Sequence, residues 1–95
     1  MIRATPRAPR NSVVTTAGTP VIVFDVGGTD NVADIINPTT APGALYVDIF
    51  TTAAIGLPTS LPLQPGQSYR VSGPISTAIT VVSAYNGHAF NAVAY

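Results

Sequence analysis

The stretch of residues 61–73 constrains the fold of this chain more than any other. It contains Pro62, Pro65 and Gly66, which are disfavoured in helices and in central strands, because Pro fixes φ and lacks an N–H while Gly tolerates positive φ. Pro65-Gly66 therefore predicts a turn with Pro at its second position and Gly at its third. Residues 68–72 then alternate polar and β-forming side chains, which predicts a half-buried strand. A turn followed by a short strand is typical of a small antiparallel β-domain, and nothing in the stretch indicates catalysis.

Several further segments have the β-branched or alternating composition of strands. They are residues 11–16, 21–26, 32–36, 44–52, 76–85 and 88–95. Turn residues separate the segments about every eight to twelve positions, and no window has convincing helical periodicity. The chain is therefore predicted to be all-β: a small antiparallel β-sandwich, or a β-barrel-like fold, of about six to seven short strands. Several strands are apolar on both faces, so we expect one face to close the core and the other to pack on a neighbour.

Alternation along a strand assigns its side chains to two faces. In the 21–26 strand the predicted core residues are Ile22, Phe24 and Val26, with Asp25 on the other face. In the 44–52 strand the predicted core residues are Leu45, Val47 and Ile49, and the opposite face carries Tyr46, Asp48 and Phe50. The core face of the last strand stays open, because Phe90 and Val93 fall on opposite sides.

The dipeptide Asn86-Gly87 separates the last two predicted strands. Asn-Gly is a preferred pair for a two-residue type I′ turn, in which both central residues need positive φ, so we predict a hairpin here. The only histidine of the chain, His88, follows directly. A lone histidine with no Cys, Glu or second His nearby is expected at the surface or rim and not as a metal ligand or catalytic base.

Charge is scarce along the whole chain. Charged residues make up 8% of the 95 residues, against roughly 25% in an average soluble domain, and Lys and Glu are absent. A free monomer usually keeps mixed charge on its surface, so we expect a partner to cover much of this one. The length suits one domain, and the lack of Cys excludes disulfides and thiolate metal ligation. No apolar run suits a membrane span or a signal peptide, so we expect a soluble protein.

The first ten residues carry most of the positive charge and two prolines, which favour an extended backbone. We therefore divide the chain into an extended N-terminal arm, residues 1–11, and a single β-sandwich domain, residues 12–95. The arginines can pair with nucleic-acid phosphates or with carboxylates in a protein groove, and the thin basic footprint favours the protein. A floppy tail is the remaining alternative. The arm residues predicted to bind the partner are Arg3, Pro6, Arg7, Pro9 and Arg10.

Two acidic patterns are candidate sites. Asp25, Gly27, Gly28 and Thr29 resemble the phosphate-binding turn of sugar kinases and actin-like ATPases, but the second phosphate loop, adenosine motif and helices of that family are absent. A Gly-Gly turn explains the same residues. Weak Ca²⁺ binding was considered for Asp25, Asp30, Asn31 and Asp34, although the alternating ligand pattern of a calcium loop is missing. No nucleophile motif is present either, so we expect no enzyme activity, no cofactor and no metal.

The amino-acid sequence of two regions resembles a known group of proteins. An Asn37-Pro38 turn precedes ALYVDIF at residues 44–50, and LPLQPGQSYRVSGPIS at residues 61–76 leads into a β-branched strand, a Gly turn and a terminal strand. This order is similar to the small β-sandwich structural proteins of tailed-bacteriophage virions. In that group such domains occur as head decoration (cement) proteins and as modules of head or tail fibres. The charged residues usual after the first strand of the group are absent here.

The resemblance implies a capsid decoration protein on the virion surface, made in the host bacterial cytoplasm. Its expected partner is the major capsid protein or another virion protein, bound by a homo-oligomer or by many copies on a shell, with no membrane and with protein favoured over nucleic acid. The exposed interface is expected at Tyr46, Phe50, Tyr69 and Arg70. The alternative is a fibre, spike or connector module that binds another virion protein, or host glycans through Tyr46, Tyr69 or Tyr85.

Overall fold

The computed structural model describes residues 8–25, 32–72 and 78–94. The described residues form nine short strands and no helix. The strands are β1 (Val13–Val14), β2 (Val21–Phe24), β3 (Val32–Ile36), β4 (Leu45–Asp48), β5 (Leu61–Leu63), β6 (Ser68–Ser72), β7 (Ile79–Ser83), β8 (His88–Ala89) and β9 (Asn91–Ala94). The all-β prediction is therefore confirmed for the described part of the chain.

Every strand pair is antiparallel, and the strands form three sheets. The largest sheet has the order β2-β7-β4-β5, the second has the order β6-β3-β9, and β1 pairs with β8 alone. The strand count exceeds the predicted six to seven for two reasons. The short edge strand β5 was not recognised because it contains Pro62, and the predicted final strand is divided into β8 and β9 at Phe90. Pro is tolerated at such an edge because its missing N–H faces away from the partner strand.

Two strands have the bounds that their sequence alternation predicts. β3 and β6 pair along their whole length, from Val32 opposite Ser72 to Ile36 opposite Ser68. The turn before β6 also has the predicted form, because the Gln67 N–H donates to the Gln64 carbonyl at 2.9 Å and Gly66 has a φ of 88°. A positive φ at the third position marks a type II turn, for which Pro65-Gly66 is a favoured pair.

The predicted core face of β2 is confirmed at Phe24 and wrong at Ile22. Val23 and Phe24 are both buried, while Ile22 is only half-buried. The cause is a β-bulge, since Ile22 lies opposite Thr80 and Phe24 lies opposite Ile79, which leaves Val23 as an extra residue. An extra residue shifts the alternation by one position, so two consecutive side chains can face the core. The remaining predicted core residue, Val26, lies outside the described residues.

The predicted hairpin at Asn86-Gly87 is also wrong. Among the described residues positive φ occurs only at glycines, Gly87 included with a φ of 68°, so Asn86 does not have the conformation that a type I′ turn needs. The strands on either side do not pair with each other: β7 lies between β2 and β4, and β8 pairs with β1. The turn therefore carries the chain from one sheet to another.

Residues from both larger sheets and from β1 contribute to one hydrophobic cluster. Its members are Val14, Val23, Phe24, Ala33, Ile35, Leu45, Val47, Leu63, Val71, Ile79, Val81, Phe90 and Ala94. Phe90 and Ala94 face this cluster and Val93 is half-buried, which resolves the face of the last strand. In β4 the predicted core residues Leu45 and Val47 are buried, but Asp48, predicted on the opposite face, is fully buried as well.

Candidate interaction surface

Residues 49–60, here called the Asp48 loop, fold over the carboxylate that ends β4. One carboxylate oxygen, Oδ1, accepts hydrogen bonds from the backbone N–H groups of Phe50 at 2.8 Å and Thr51 at 2.9 Å. The other, Oδ2, accepts from the hydroxyls of Thr59 at 2.6 Å, Ser60 at 3.0 Å and Thr51 at 3.2 Å. The carboxylate therefore joins the first residues of the loop to the last ones.

The charge of Asp48 is stabilised by these donors. Burial raises the pKa of the carboxyl, but the hydrogen bonds from Thr59, the backbone of Thr51 and Phe50, and Ser60 outweigh burial and hold the pKa well below its usual range. No guanidinium group contacts this carboxylate within the described ranges. The five hydrogen-bond donors thus stabilise the ionised carboxylate, as a counter-ion usually does for a buried acid.

Residues in the interior of the loop form hydrogen bonds with β7 and with each other. The Thr80 hydroxyl accepts from the Ala53 N–H at 2.8 Å and donates to the Thr51 carbonyl at 3.2 Å. The Ser60 hydroxyl accepts from the Ala54 N–H at 3.1 Å. Two consecutive turns follow, closed by hydrogen bonds from Leu57 N–H to the Ala54 carbonyl at 3.1 Å and from Ser60 N–H to the Leu57 carbonyl at 3.0 Å. These contacts give the loop one defined conformation.

Large hydrophobic side chains of this loop are exposed. The large hydrophobic side chains in and directly after it are Phe50, 67% exposed, Ile55, 47%, Leu57, 37%, and Leu61, 44%. We call these four side chains the apolar surface. The sequence has no charged residue between Asp48 and Arg70, so the apolar surface lies within a charge-free segment. A rigid, uncharged segment with exposed large hydrophobic side chains has the character of a protein-binding surface.

The predicted interface residues have different environments. Phe50 is exposed as expected, whereas Tyr46 and Tyr69 are half-buried and Tyr69 packs against the hydrophobic core. Arg70 is exposed and its Nε donates to Asp34 Oδ1 at 2.8 Å. A partner role for these residues stays a prediction. The sequence interpretation missed Ile55, Leu57 and Leu61, although the Gly and Pro residues around them could have indicated exposed turns.

The described end of the N-terminal arm contacts its own domain. Arg10 donates its backbone N–H to the Val23 carbonyl at 2.8 Å, and its Nη1 lies 3.0 and 3.1 Å from the two carboxylate oxygens of Asp25. The Asn11 side chain donates to the Ile22 carbonyl at 2.8 Å. Pro9 is half-buried, and Arg3, Pro6 and Arg7 lie outside the described residues. The arm's partner role stays a prediction, but residues 10 and 11 lie along β2.

The acidic patterns of the sequence lie partly outside the described ranges, which exclude Gly27, Gly28, Thr29, Asp30 and Asn31. The described members, Asp25 and Asp34, each accept hydrogen bonds from an arginine of the same chain. Within the described ranges no group of three or more His, Cys, Asp or Glu side chains is placed to hold a metal ion.

The predicted surface position of His88 is wrong, because this side chain is fully buried. Its Nε2 lies 2.7 Å from Asn37 Oδ1, and its Nδ1 lies 2.6 Å from the Ser83 hydroxyl. Asn37 donates its amide to the carbonyls of Gly43 at 2.9 Å and Leu63 at 2.8 Å, so its oxygen faces the imidazole. This network assigns the proton of the neutral ring to Nε2, with Nδ1 accepting from Ser83.

The His88 network is built from residues of all three sheets. Asn37 directly follows β3, Ser83 ends β7, and His88 begins β8. Burial lowers the pKa of His88, which keeps the ring neutral. A Ser-His-Asn chain can in principle serve nucleophilic catalysis. Here both Ser83 and His88 are 0% exposed, and the Ser83 hydroxyl also accepts the Tyr85 N–H at 3.1 Å, so a substrate has no access to them in this conformation.

Comparisons with protein-family models, with curated proteins and with solved structures found no match to this chain. Among the described residues there is also no helix with the length and hydropathy needed to cross a bilayer. The interpretation of the apolar surface therefore depends on the residues themselves.

Proposed function

We propose that this chain is a non-enzymatic virion structural protein, a capsid decoration (cement) protein that binds and stabilises the major capsid protein shell of a tailed bacteriophage. In this proposal the two larger sheets form a β-sandwich, and many copies lie on the outer surface of the capsid. The resemblance of residues 37–50 and 61–95 to virion proteins supports the proposal, as does the charge-poor composition.

The observation that carries the proposal is the apolar surface on the Asp48 loop. Burying a Phe, Leu or Ile side chain contributes roughly 1.5–3 kcal/mol relative to leaving it in water. The loop is already ordered by the Asp48 carboxylate, so little conformational entropy is lost when a partner covers it. Weak contacts of this kind, repeated over many copies, add up across a shell.

Co-sedimentation tests the proposal directly. The purified chain is mixed with empty shells assembled from the major capsid protein of the same phage genome, and bound protein is measured in the pellet. We expect saturable binding, and we expect Ile55→Thr and Phe50→Ser to weaken it. The matched control is Ile36→Thr, which changes a side chain of similar exposure, 39%, at the end of β3. A wild-type chain that stays in the supernatant at all concentrations would contradict the proposal.

A second variant separates the contribution of the arm. Removing residues 1–7 leaves the contacts of Arg10 and Asn11 with β2 in place, so the domain should fold as before. If the arm binds the shell, this truncation weakens co-sedimentation while thermal unfolding stays unchanged. Full binding by the truncated chain would assign the contact to the domain alone. The glycan-binding alternative has less support, since of its three tyrosines only Tyr85 is exposed, to 45%, while Tyr46 and Tyr69 are half-buried.

A further inference from the structure

The turn at Asn86-Gly87 is held against the loop between β1 and β2. The Ala17 N–H donates to Asn86 Oδ1 at 2.7 Å, and the Gly87 N–H donates to the Thr15 carbonyl at 3.2 Å. Asn86 and Gly87 are both exposed, and a Cβ placed on Gly87 would meet no atom within 4 Å. The side-chain amide of Asn86 thus has a fixed hydrogen-bond donor at its oxygen, and the next residue is an exposed Gly whose N–H makes one long hydrogen bond.

The donor itself is fixed by a turn. The Thr19 N–H donates to the Thr16 carbonyl at 3.1 Å, and Gly18 has a φ of 74°, which makes residues 16–19 a type II turn with Ala17 at its second position. A third hydrogen bond, from the Gly18 N–H to the Ser83 carbonyl at 2.8 Å, holds this turn beside the end of β7. The direction of the Ala17 N–H is therefore set by the fold.

We propose that Asn86 is a self-modification site that converts to aspartate and isoaspartate without an enzyme. The Gly87 N–H first leaves the Thr15 carbonyl and gives its proton to solvent. The nitrogen then attacks Asn86 Cγ, forming the N–Cγ bond of a five-membered cyclic imide. The Cγ–Nδ2 bond breaks and ammonia leaves. Water then opens the imide. Cleavage of the N–Cγ bond gives aspartate, and cleavage of the original peptide bond gives isoaspartate, with no oxidant or reductant involved.

The contact with Ala17 assists the first step. When nitrogen attacks Cγ, negative charge develops on Oδ1, and a preorganised backbone N–H at that oxygen stabilises the charge. The attacking group is the next backbone nitrogen, so the reaction is intramolecular and needs no binding step. Gly87 presents no Cβ to crowd the approach, and its hydrogen bond to Thr15 is at the long end of the usual range. The arrangement therefore combines a charge-stabilising donor with a nucleophile that has only a long hydrogen bond to break.

The two products have different consequences for the fold. Aspartate keeps Oδ1 as an acceptor for the Ala17 N–H and changes the formal net charge from zero to −1, since five acidic residues would face four arginines. Isoaspartate adds one atom to the main chain just before His88. Because His88 is held between Ser83 and Asn37, this product is expected to loosen β8. The modification thus adds one negative charge in either product, and only isoaspartate also weakens a sheet contact.

The experiment follows the full chain during incubation at neutral to mildly alkaline pH. Cleavage after Arg70 releases the peptide of residues 71–95, which contains Asn86 and, as an internal control, Asn91. Mass spectrometry that separates aspartate from isoaspartate is expected to find conversion confined to Asn86 and accompanied by ammonia release. We also expect the folded chain to convert at least as fast as the same chain in denaturant. Slower conversion in the folded chain would overturn the proposal, because the turn would then protect Asn86.

A pair of variants isolates the Ala17 N–H. Ala17→Pro removes this donor and suits the second position of a type II turn, whereas Ala17→Ser keeps the donor. Loss of the donor is expected to slow conversion at Asn86 by about tenfold, with the serine variant unchanged. An unchanged rate in folded Ala17→Pro would overturn the proposed role of the donor. If thermal unfolding reveals that Ala17→Pro does not fold, the comparison of folded and denatured wild-type chain still decides the proposal.

Discussion

The described part of the molecule has two buried polar centres, around Asp48 and around His88, and they differ in charge and in what they hold in place. Asp48 stays ionised because five donors converge on its carboxylate. His88 stays neutral because burial lowers its pKa, and the neutral ring has one acceptor at Nε2 and one donor at Nδ1. The first centre orders a loop that faces solvent, while the second joins three sheets inside the domain. A charged centre thus supports the candidate interaction surface, and a neutral one supports the body of the fold.

This difference has a physical reason. A buried charge is tolerated only where many donors are available, and a loop supplies backbone N–H groups that no strand partner uses. Between sheets most backbone groups are already paired, so only side chains remain to satisfy a buried polar residue. The Asp48 loop provides two free N–H groups and three hydroxyls, whereas the His88 network uses side chains and two carbonyls.

The largest expected effect on stability comes from removing the carboxylate of Asp48. Asp48→Ala would leave two backbone N–H groups and three hydroxyls without their acceptor under the loop, and we expect a loss of about 3–4 kcal/mol in the free energy of unfolding. Chemical denaturation measures this loss. Shell binding should fall as well, because the apolar surface would no longer be preorganised. A loss below about 1 kcal/mol would mean that water replaces the carboxylate and that the loop does not depend on it.

A substitution in the neutral centre around His88 should lower the free energy of unfolding by less than Asp48→Ala does. Asn37→Ala removes one acceptor for His88 and two amide hydrogen bonds to Gly43 and Leu63, and we expect a loss of about 2–3 kcal/mol in the free energy of unfolding. Hydrogen exchange would distinguish this variant from Asp48→Ala. Faster exchange in β8 and β5 is expected here, with the amides of the Asp48 loop unchanged. Uniform loss of protection across the domain would contradict two separate centres.

Acid should weaken the two centres in separate pH windows. Both pKa values are lowered in the folded chain, so the unfolded chain binds more protons in each window and stability falls as pH falls. For His88 the decline begins near its ordinary value of 6.5, and for Asp48 it begins near 3.8. The slope from His88 is at most about 1.4 kcal/mol per pH unit.

Denaturation midpoints measured from pH 8 to pH 3 test this order. Since His88 is the only histidine, His88→Gln should flatten the upper window and leave the lower one. A wild-type chain whose stability does not change between pH 7 and pH 5 would contradict a buried neutral imidazole.

The parts of this fold that the sequence predicts are those decided by local chemistry. β3, β6 and the Pro65-Gly66 turn follow from alternation and turn preferences, and they occur where predicted. Residues that depend on distant partners were not predicted. The β2 bulge depends on the register with β7, and the burial of His88 depends on Asn37, which lies 51 residues away in the chain.

At the candidate interaction surface, too, the sequence predicts what local chemistry decides and does not predict what depends on distant residues. Exposure of Phe50 was predicted from alternation in a strand over residues 44–52, and Phe50 is exposed although β4 ends at Asp48. Burial of Asp48 on the same face was not predicted, because a carboxylate at a strand end usually points to water. Only the closure of the loop through Thr59 and Ser60 places Asp48 in the interior. Alternation assigns a face to a residue, but it does not tell whether a later segment covers that face.

The same substitution, Ser to Ala, can be made in both centres. It gives the smallest expected difference in stability and the most direct comparison of the two centres. Ser60→Ala removes a hydroxyl that donates to a charged carboxylate, and Ser83→Ala removes one that donates to a neutral imidazole. Each hydroxyl also accepts one backbone N–H, from Ala54 and Tyr85 respectively. Hydrogen bonds to charged groups contribute about 1.5–3 kcal/mol and neutral ones about 1 kcal/mol, so Ser60→Ala should be the more destabilising by roughly 1 kcal/mol. Urea denaturation of both variants at pH 7 resolves such a difference, and the reverse order would mean that the charge of Asp48 does not govern the stability of its loop.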